Sequence, residues 1–269
     1  FFGSKTLEGR VASVPVANYP KVFQSPSFKG LLYKLNDLVL DSRSLIAHLH
    51  HQLKDYIFEG NVSFEHTNGR VTHLQLDDGL TVSADTYVLA AGKGNGELIE
   101  ELGLEVPMQL RPLHQVVVRG KTLPDLFAHA VTLRSADKPR ITFTTHSTVD
   151  SKTWYLGGQL AESGVARNEA EQIAFAKTEL AAIMPWMDFS GCEFSTFRID
   201  RAEAGGGTLL RPDTPYVGRH GNVVVCWPTK LTLAPMMGDM FMELMAAPKA
   251  NLAEPPKLRP ASIGRPLWE

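Results

Sequence analysis

The chain has 269 residues, 43% of them apolar, enough to bury one large core or two modest ones. Charged residues make up 21% and the formal net charge is -2, which gives no electrostatic case for a nucleic acid or an anionic membrane as partner. No apolar run approaches the roughly 18 residues of a spanning helix, and no secretory leader is visible.

The chain opens FFGS without a methionine, as a piece of a longer chain or a processed product would. Pro15, Pro20 and Pro26 forbid a long helix in the first 40 residues, which read as loop and extended segments. A first helix is expected after Leu40, capped by Asp41 or Ser42, with Leu45, Ile46, Leu49, Leu53 and Tyr56 on one face. NVSFEHT then meets the hairpin signal Asn68-Gly69, RVTHLQL returns, and Asp77-Asp78-Gly79 turns the chain into LTVSAD, a three-stranded antiparallel meander. TYVLAA follows as a nearly continuous apolar strand of the kind buried on both faces in a parallel sheet. Its carboxyl end runs into Gly92-Lys93-Gly94-Asn95-Gly96 and a helix pattern.

Beyond Pro107 the character changes. LHQVVVR, RITFTT, TWYLGG, STFRI and NVVVCW read as strands. One long amphipathic helix is expected over 168–184 with Ile173, Leu180, Ile183 and Met184 inward, so this part is α+β on an antiparallel sheet. A last helix starts near Pro235, whose missing N–H is harmless in a first turn, and the proline-rich tail from Pro248 reads as irregular surface. The two cysteines, Cys192 and Cys226, make neither a metal cluster nor a disulfide framework, and a reduced cytoplasmic setting is the default. No His, Cys or carboxylate cluster has metal-ligand spacing, and no GxSxG nucleophile elbow occurs.

On spacing alone the glycine turn is a plain strand-to-helix connection, because its third glycine is out of place for GxGxxG and Lys93 does not precede Ser or Thr as in a Walker loop. The order of elements adds more. Ala84-Asp85, Val88-Leu89-Ala90-Ala91-Gly92 and Leu102-Gly103-Leu104 follow a helix and a meander. Arg111, Pro112 and Gln115 lie in LRPLHQVVV, Gly157, Gly158 and Glu162 in WYLGGQLAE, and Leu233-Ala234-Pro235 and Gly238 in the last helix. In this succession the chain, from about Gly30 to Met245, resembles the D-amino-acid oxidase and glycerol-3-phosphate dehydrogenase superfamily of FAD-dependent oxidoreductases. Asp41 fills the position of the aspartate that precedes the family's helix.

The resemblance implies an α+β and α/β architecture. Residues 1–106 would be the remainder of a glutathione-reductase-like FAD domain with a β-meander, 107–220 an antiparallel-sheet substrate domain, 221–247 the return to the FAD domain and 248–269 the tail. The family's opening glycine-fingerprint unit is not found before Gly30, so the expectation is the later portion of such an enzyme, inactive or nearly so as an isolated chain. The implied cofactor is FAD, held at Ala91 and Gly92 and at the start of the last helix by Lys230, Leu231, Thr232 and Leu233.

The family carries glycines before this helix, whereas this chain has Cys226-Trp227-Pro228-Thr229-Lys230. Lys230 then serves the reduced flavin or a substrate carboxylate, and Trp227 stacks on the ring or blocks it. The implied substrate is a small anion, an amino or hydroxy acid, gripped by one of Arg198, Arg201 and Arg211. Strand alternation with Phe197 and Ile199 favours Arg201; a surface pairing of Arg201 with Asp200 or Glu203 is the alternative. His114 and His146 are acid–base candidates. A non-redox ligand-binding or interaction module that keeps the substrate-domain fold is the competing reading, favoured by the departure at 227–230 and by the missing fingerprint. The oligomeric state is not legible.

Overall fold

A computed structural model of the chain describes residues 11–36, 38–77, 79–132, 138–148, 150–205, 212–247 and 258–266. In chain order the elements are β1 (Val11–Ser13), β2 (Tyr33–Leu35), α1 (Ser42–Leu53), β3 (Phe58–Glu59), β4 (Val62–Thr67), β5 (Arg70–Leu76), β6 (Thr81–Val82), β7 (Tyr87–Leu89) and α2 (Asn95–Glu101). There follow β8 (Met108–Gly120), β9 (Ala128–Ala130), β10 (Ile141–Ser147), β11 (Lys152–Gly157), α3 (Gln159–Ser163), α4 (Glu169–Ile183), β12 (Glu193–Ala204), β13 (Tyr216–His220), β14 (Val223–Trp227), α5 (Ala234–Leu244) and β15 (Arg259–Pro260). They form two compact units, one of residues 1–45, 112–199 and 265–269, the other of 46–111 and 200–264.

The first unit is built on the five-stranded sheet β12-β8-β11-β10-β9. The register pairs Thr142 with Gly157, Thr144 with Tyr155, and His146 with Thr153 between β10 and β11. Between β11 and β8 it pairs Tyr155 with Val117 and Thr153 with Arg119. Opposed residues of a ladder share a face and the faces alternate along each strand. Val116, Val118, Trp154, Leu156, Ile141 and Phe143 therefore point one way, into a core closed by Leu160, Ala176, Leu180 and Met184. Thr142, Thr144, His146, Thr153, Tyr155 and Val117 point the other way.

The helix α4 forms where the sequence places it. Asn168 accepts from the amide of Glu171 while the Glu171 carboxylate accepts from the amide of Asn168, a capping box at 2.9 Å in both directions. Its buried side is Gln172, Ala176 and Leu180. The expected stripe through Ile173 and Ile183 is only half-buried, because Gln172 is drawn inside to donate to the carbonyls of His114 and Leu160.

The second unit holds the three-stranded meander β4-β5-β6 and the sheet β13-β14-β7, in which β7 runs parallel to β14. Asn68 and Gly69 take φ of 52° and 73° at the hairpin, the positive values that an Asn-Gly turn of the twist-matched type requires. Tyr87 and Leu89 are buried among Val71, Ile99, Leu102, Val223, Val225 and Trp227. Val88 between them is 43% exposed, so β7 buries one face and not the two that its apolar run suggests. Asn222 ties the meander to this sheet, accepting from the Val71 amide and donating to the Val71 carbonyl. Helix α2 ends at Gly103, φ 61°, whose left-handed turn lets Leu104 N–H reach the Ile99 carbonyl and its own N–H reach Glu100. No helix among the described residues is long and apolar enough to cross a membrane.

Candidate functional site

The second unit fixes its glycine turn from two sides. Asn95, fully buried, accepts from the Ala91 amide at 2.7 Å and donates to the carbonyls of Leu89 and Cys226 at 3.2 Å each. One carboxamide thus joins the end of β7, the end of β14 and the first residue of α2. Trp227, 1% exposed, donates its indole N–H to the Gly92 carbonyl at 2.8 Å. It is a core residue, and the expectation that it stacks on a flavin or blocks one is corrected: burial of the ring and the reach of Nε1 to Gly92 consume it. Gly92 takes φ 60°, and no atom lies within 4 Å of where a Cβ would stand. The backbone is therefore bare on that side and conformationally set, as a close ligand approach requires. Lys93 pairs with Asp200 at 2.5 Å on the surface.

The start of α5 carries backbone strain. Thr229 has φ 60°, and the Lys230 amide donates to the Pro228 carbonyl two residues back at 2.5 Å, the bond of a positive-φ γ-turn. A β-branched residue in that region costs on the order of 1–3 kcal/mol and persists where the surroundings impose it. Lys230 follows, then the 3-10 turn Leu231–Leu233 that leads into α5. The first N–H groups of such a segment have no partner inside the helix. Lys230 is half-buried and forms no ion pair with a described residue. A cation at the positive end of a helix is unfavourable by about 0.3–1 kcal/mol until an anion arrives.

The arginines sort themselves by their contacts. Arg198 is committed to backbone, donating to the carbonyls of Val165 and Arg167 at 2.9 and 2.5 Å. Arg201 is half-buried with its Nε shut off from water. The residues named as its surface partners are taken elsewhere: Asp200 by Lys93, and Glu203, 2% exposed, by Gln109 at 2.8 Å and Arg111 at 3.5 Å. Arg211, with Gly206 and Gly207, lies outside the described residues.

In the first unit His114 is 2% exposed and both ring nitrogens are engaged, Nδ1 with the Gly164 carbonyl at 3.0 Å and Nε2 with the Thr196 hydroxyl at 2.9 Å. A carbonyl only accepts, so Nδ1 carries the proton and Nε2 accepts from Thr196. This geometry ties β8 to β12 and leaves no ring nitrogen for a substrate, so His114 fits a positioning role better than an acid–base one.

The opposite face of the same sheet carries the groups that can meet a ligand. Tyr155 and Phe197 bring their rings to 5.4 Å, and His146 meets Tyr155 edge-on at 6.4 Å. Burial pushes the His146 imidazole below its ordinary value, with Asp41 opposing. Gln115 is 7% exposed, and its Oε1 is closed off from water and accepts no hydrogen bond from a described residue. Such an acceptor costs about 1–3 kcal/mol while it stays unsatisfied. Sequence reasoning noted Gln115 without giving it a role and passed over Asn95 and Tyr155. The alternation of β8 and β11 was the one signal for Tyr155, and Asn95 had none, since its partners are remote in sequence. Among the described residues no group of three or more His, Cys, Asp and Glu is placed to hold a metal ion.

Comparisons with known proteins bear on these features. The family profile described as DAO, FAD dependent oxidoreductase, matches residues 13–244. A probable FAD-dependent oxidoreductase of Pseudomonas aeruginosa is 41% identical over 276 residues, an alignment that covers 100% of this chain and 70% of that protein. Its crystal structure aligns at TM-score 0.79 and 39% identity, over 94% of this chain and 73% of that one. Iminodiacetate oxidase from Chelativorans sp. BNC1 shares the fold at TM-score 0.58 and 17% identity, over 96% of this chain and 70% of that one.

Proposed function

Because the chain belongs to the DAO family of FAD-dependent oxidoreductases, we propose that its second unit is the remainder of a glutathione-reductase-like FAD domain and that the protein oxidises a small amino or hydroxy acid. FAD is the family's cofactor, and the residues present suit it. The bare, positive-φ backbone at Gly92 and the first-turn N–H groups of Leu231 and Thr232 beside Lys230 are places where a dinucleotide and an anionic ring edge find donors and room. FAD, when bound, supplies the hydride acceptor.

The chain's own part is to bind, orient and compensate charge. Ala91 and Gly92 hold the dinucleotide through backbone, kept in place by Asn95 and Trp227. Leu231 and Thr232 present amide hydrogens, Leu233, whose own amide donates to the Lys230 carbonyl, closes the turn that aims them, and Lys230 adds a full positive charge at the same point, worth more in a water-poor site than in bulk. Arg201 is the residue we assign to the substrate carboxylate. His114 acts as a positioning residue through Gly164 and Thr196. The two cysteines are free thiols, in keeping with the reducing cytoplasmic setting that we include in the proposal.

The observation that carries the reading is Lys230. A half-buried cation without a carboxylate partner among the described residues, set on a strained turn at a helix start, is the arrangement an anion corrects. The competing reading of a non-redox module rested partly on Trp227, which the core contacts now explain.

The test is direct. Purified protein is incubated with FAD, desalted, and mixed anaerobically with a panel of amino and hydroxy acids while flavin absorbance is followed. Retained colour that bleaches with one of them is the expected result, with Lys230→Met retaining less FAD than wild type. A colourless wild-type protein after desalting, or colour that no member bleaches, counts against the proposal.

A further inference from the structure

Among the described residues the five-stranded sheet of the first unit ends at β12 on one side and at β9 on the other. An open strand edge exposes amide and carbonyl groups that another chain can pair with, and natural edges are guarded by charged side chains or proline. The β12 edge is guarded in this way, with Glu193, Arg198, Asp200 and Arg201 along it. The β9 edge is not. From Leu126 to Thr132 the chain has no Asp, Glu, Lys, Arg or Pro, the composition of a segment that associates when it is left uncovered.

The inner side of β9 is taken by β10, with Ala128 against Phe143, His129 against Thr142 and Ala130 against Ile141. The Ala130 carbonyl accepts from the Arg140 amide, so it points inward. Alternation along the strand then turns the backbone groups of Phe127, His129 and Val131 outward. The side chains alternate as well. Ala128 and Ala130 pack against the core under α4. Phe127 and Val131, 50% and 44% exposed, stand on the other face with the exposed His129 between them.

Phe127-Ala128-His129-Ala130-Val131 is close to palindromic in character. A two-fold axis through His129 sets Phe127 opposite the second copy's Val131, Ala128 opposite its Ala130, and His129 opposite its own equivalent. An aromatic residue facing a β-branched one across an antiparallel pair stabilises that pair, and the axis makes the contact twice. On the core side the paired alanines let the strands approach closely. The residues that hydrogen-bond across such an axis are 127, 129 and 131, the three whose backbone groups face outward.

We propose that the β9 edge is an interface with a second copy of this chain, paired antiparallel about His129, so that two five-stranded sheets run on as one. A short edge buries less than the about 800 Å² per partner of a standard interface. The dimer is therefore a weak one, with a dissociation constant on the order of 10 µM. Nothing in this pairing depends on FAD or on a substrate.

Sedimentation equilibrium on the full chain, from micromolar to several hundred micromolar, tests it. Wild type is expected to show a reversible monomer–dimer equilibrium. Phe127→Glu and Val131→Lys, each acting twice across the axis, are expected to weaken it by about tenfold or more. His129→Lys sets two ammonium groups face to face and is expected to do the same. The double variant Phe127→Glu/Val131→Lys places each glutamate opposite the second copy's lysine and is expected to return to within about threefold of wild type. That recovery separates a lost interface from a damaged fold. A wild-type chain that stays monomeric throughout overturns the inference. So does association that the single variants leave unchanged, or a double variant that binds no tighter than either single one.

Discussion

Replacing Asn95 by alanine tests how the glycine turn is held. The side chain is fully buried and makes three hydrogen bonds, to Ala91 N–H, Leu89 C=O and Cys226 C=O, that join three elements of the second unit. Each bond contributes about 0.5–1.5 kcal/mol net, and each backbone group left buried without a partner costs about 1–3 kcal/mol. Partial relaxation and water entry offset part of this, so a loss of about 3 kcal/mol is expected. That corresponds to a melting-temperature fall of about 6–12 °C at the usual 2–4 °C per kcal/mol for chains of this class.

Asn95→Asp is the sharper variant. The carboxylate still accepts from Ala91 N–H, but its second oxygen faces the Leu89 and Cys226 carbonyls, and burial adds a desolvation penalty. The folded-state pKa of that aspartate is therefore raised above its unfolded value near 3.9. The folded state then holds a proton that the unfolded state has released, and stability falls as pH rises above about 4. Urea denaturation followed by tryptophan fluorescence, across acid to neutral pH, reads both effects. An alanine variant within about 0.5 kcal/mol of wild type, or an aspartate variant whose deficit shrinks as pH rises, refutes the account.

Arg111→Met leaves the Glu203 carboxylate in the core with Gln109 alone, and is expected to cost about 2–3 kcal/mol in urea denaturation; adding Glu203→Met should restore most of it, since no unpaired buried charge remains. Thr229→Gly relieves the positive-φ strain and should stabilise by about 1 kcal/mol after the entropy cost of glycine, even though the contact of Thr229 Oγ1 with the Thr214 carbonyl at 3.3 Å is lost. His146 titrates below its ordinary 6.5 because burial disfavours its cation, so the unfolded state binds more protons just below that pH and stability falls as the solution is acidified from 6.5. His146→Gln should flatten that part of the stability profile, with Asp41 left in place.

The features legible in the sequence were those set by neighbours along the chain. Asn68-Gly69 declares its turn because two adjacent residues must take positive φ, and the capping box of α4 lies within four residues. The features that hold the site were not legible, for the converse reason: Asn95 meets Cys226 131 positions away, and Trp227 meets Gly92 at a separation of 135. Trp227 was open to misreading because an aromatic ring next to a flavin segment has two uses, filling a core or covering a ligand, and composition does not distinguish them. The inward face of α4 was legible in part, with Leu180 and Met184 buried as expected and Ile173 and Ile183 only half-buried, for a related reason. The helix carries apolar side chains on several sides, and what selects the inward face is a polar residue, Gln172, drawn to the His114 and Leu160 carbonyls. In each unit, then, hydrophobic periodicity assigns the elements, while a buried carboxamide, Gln172 or Asn95, decides how they are pinned. A carboxamide both donates and accepts without carrying charge, which suits it to joining strand ends whose carbonyls and amides would otherwise go unsatisfied.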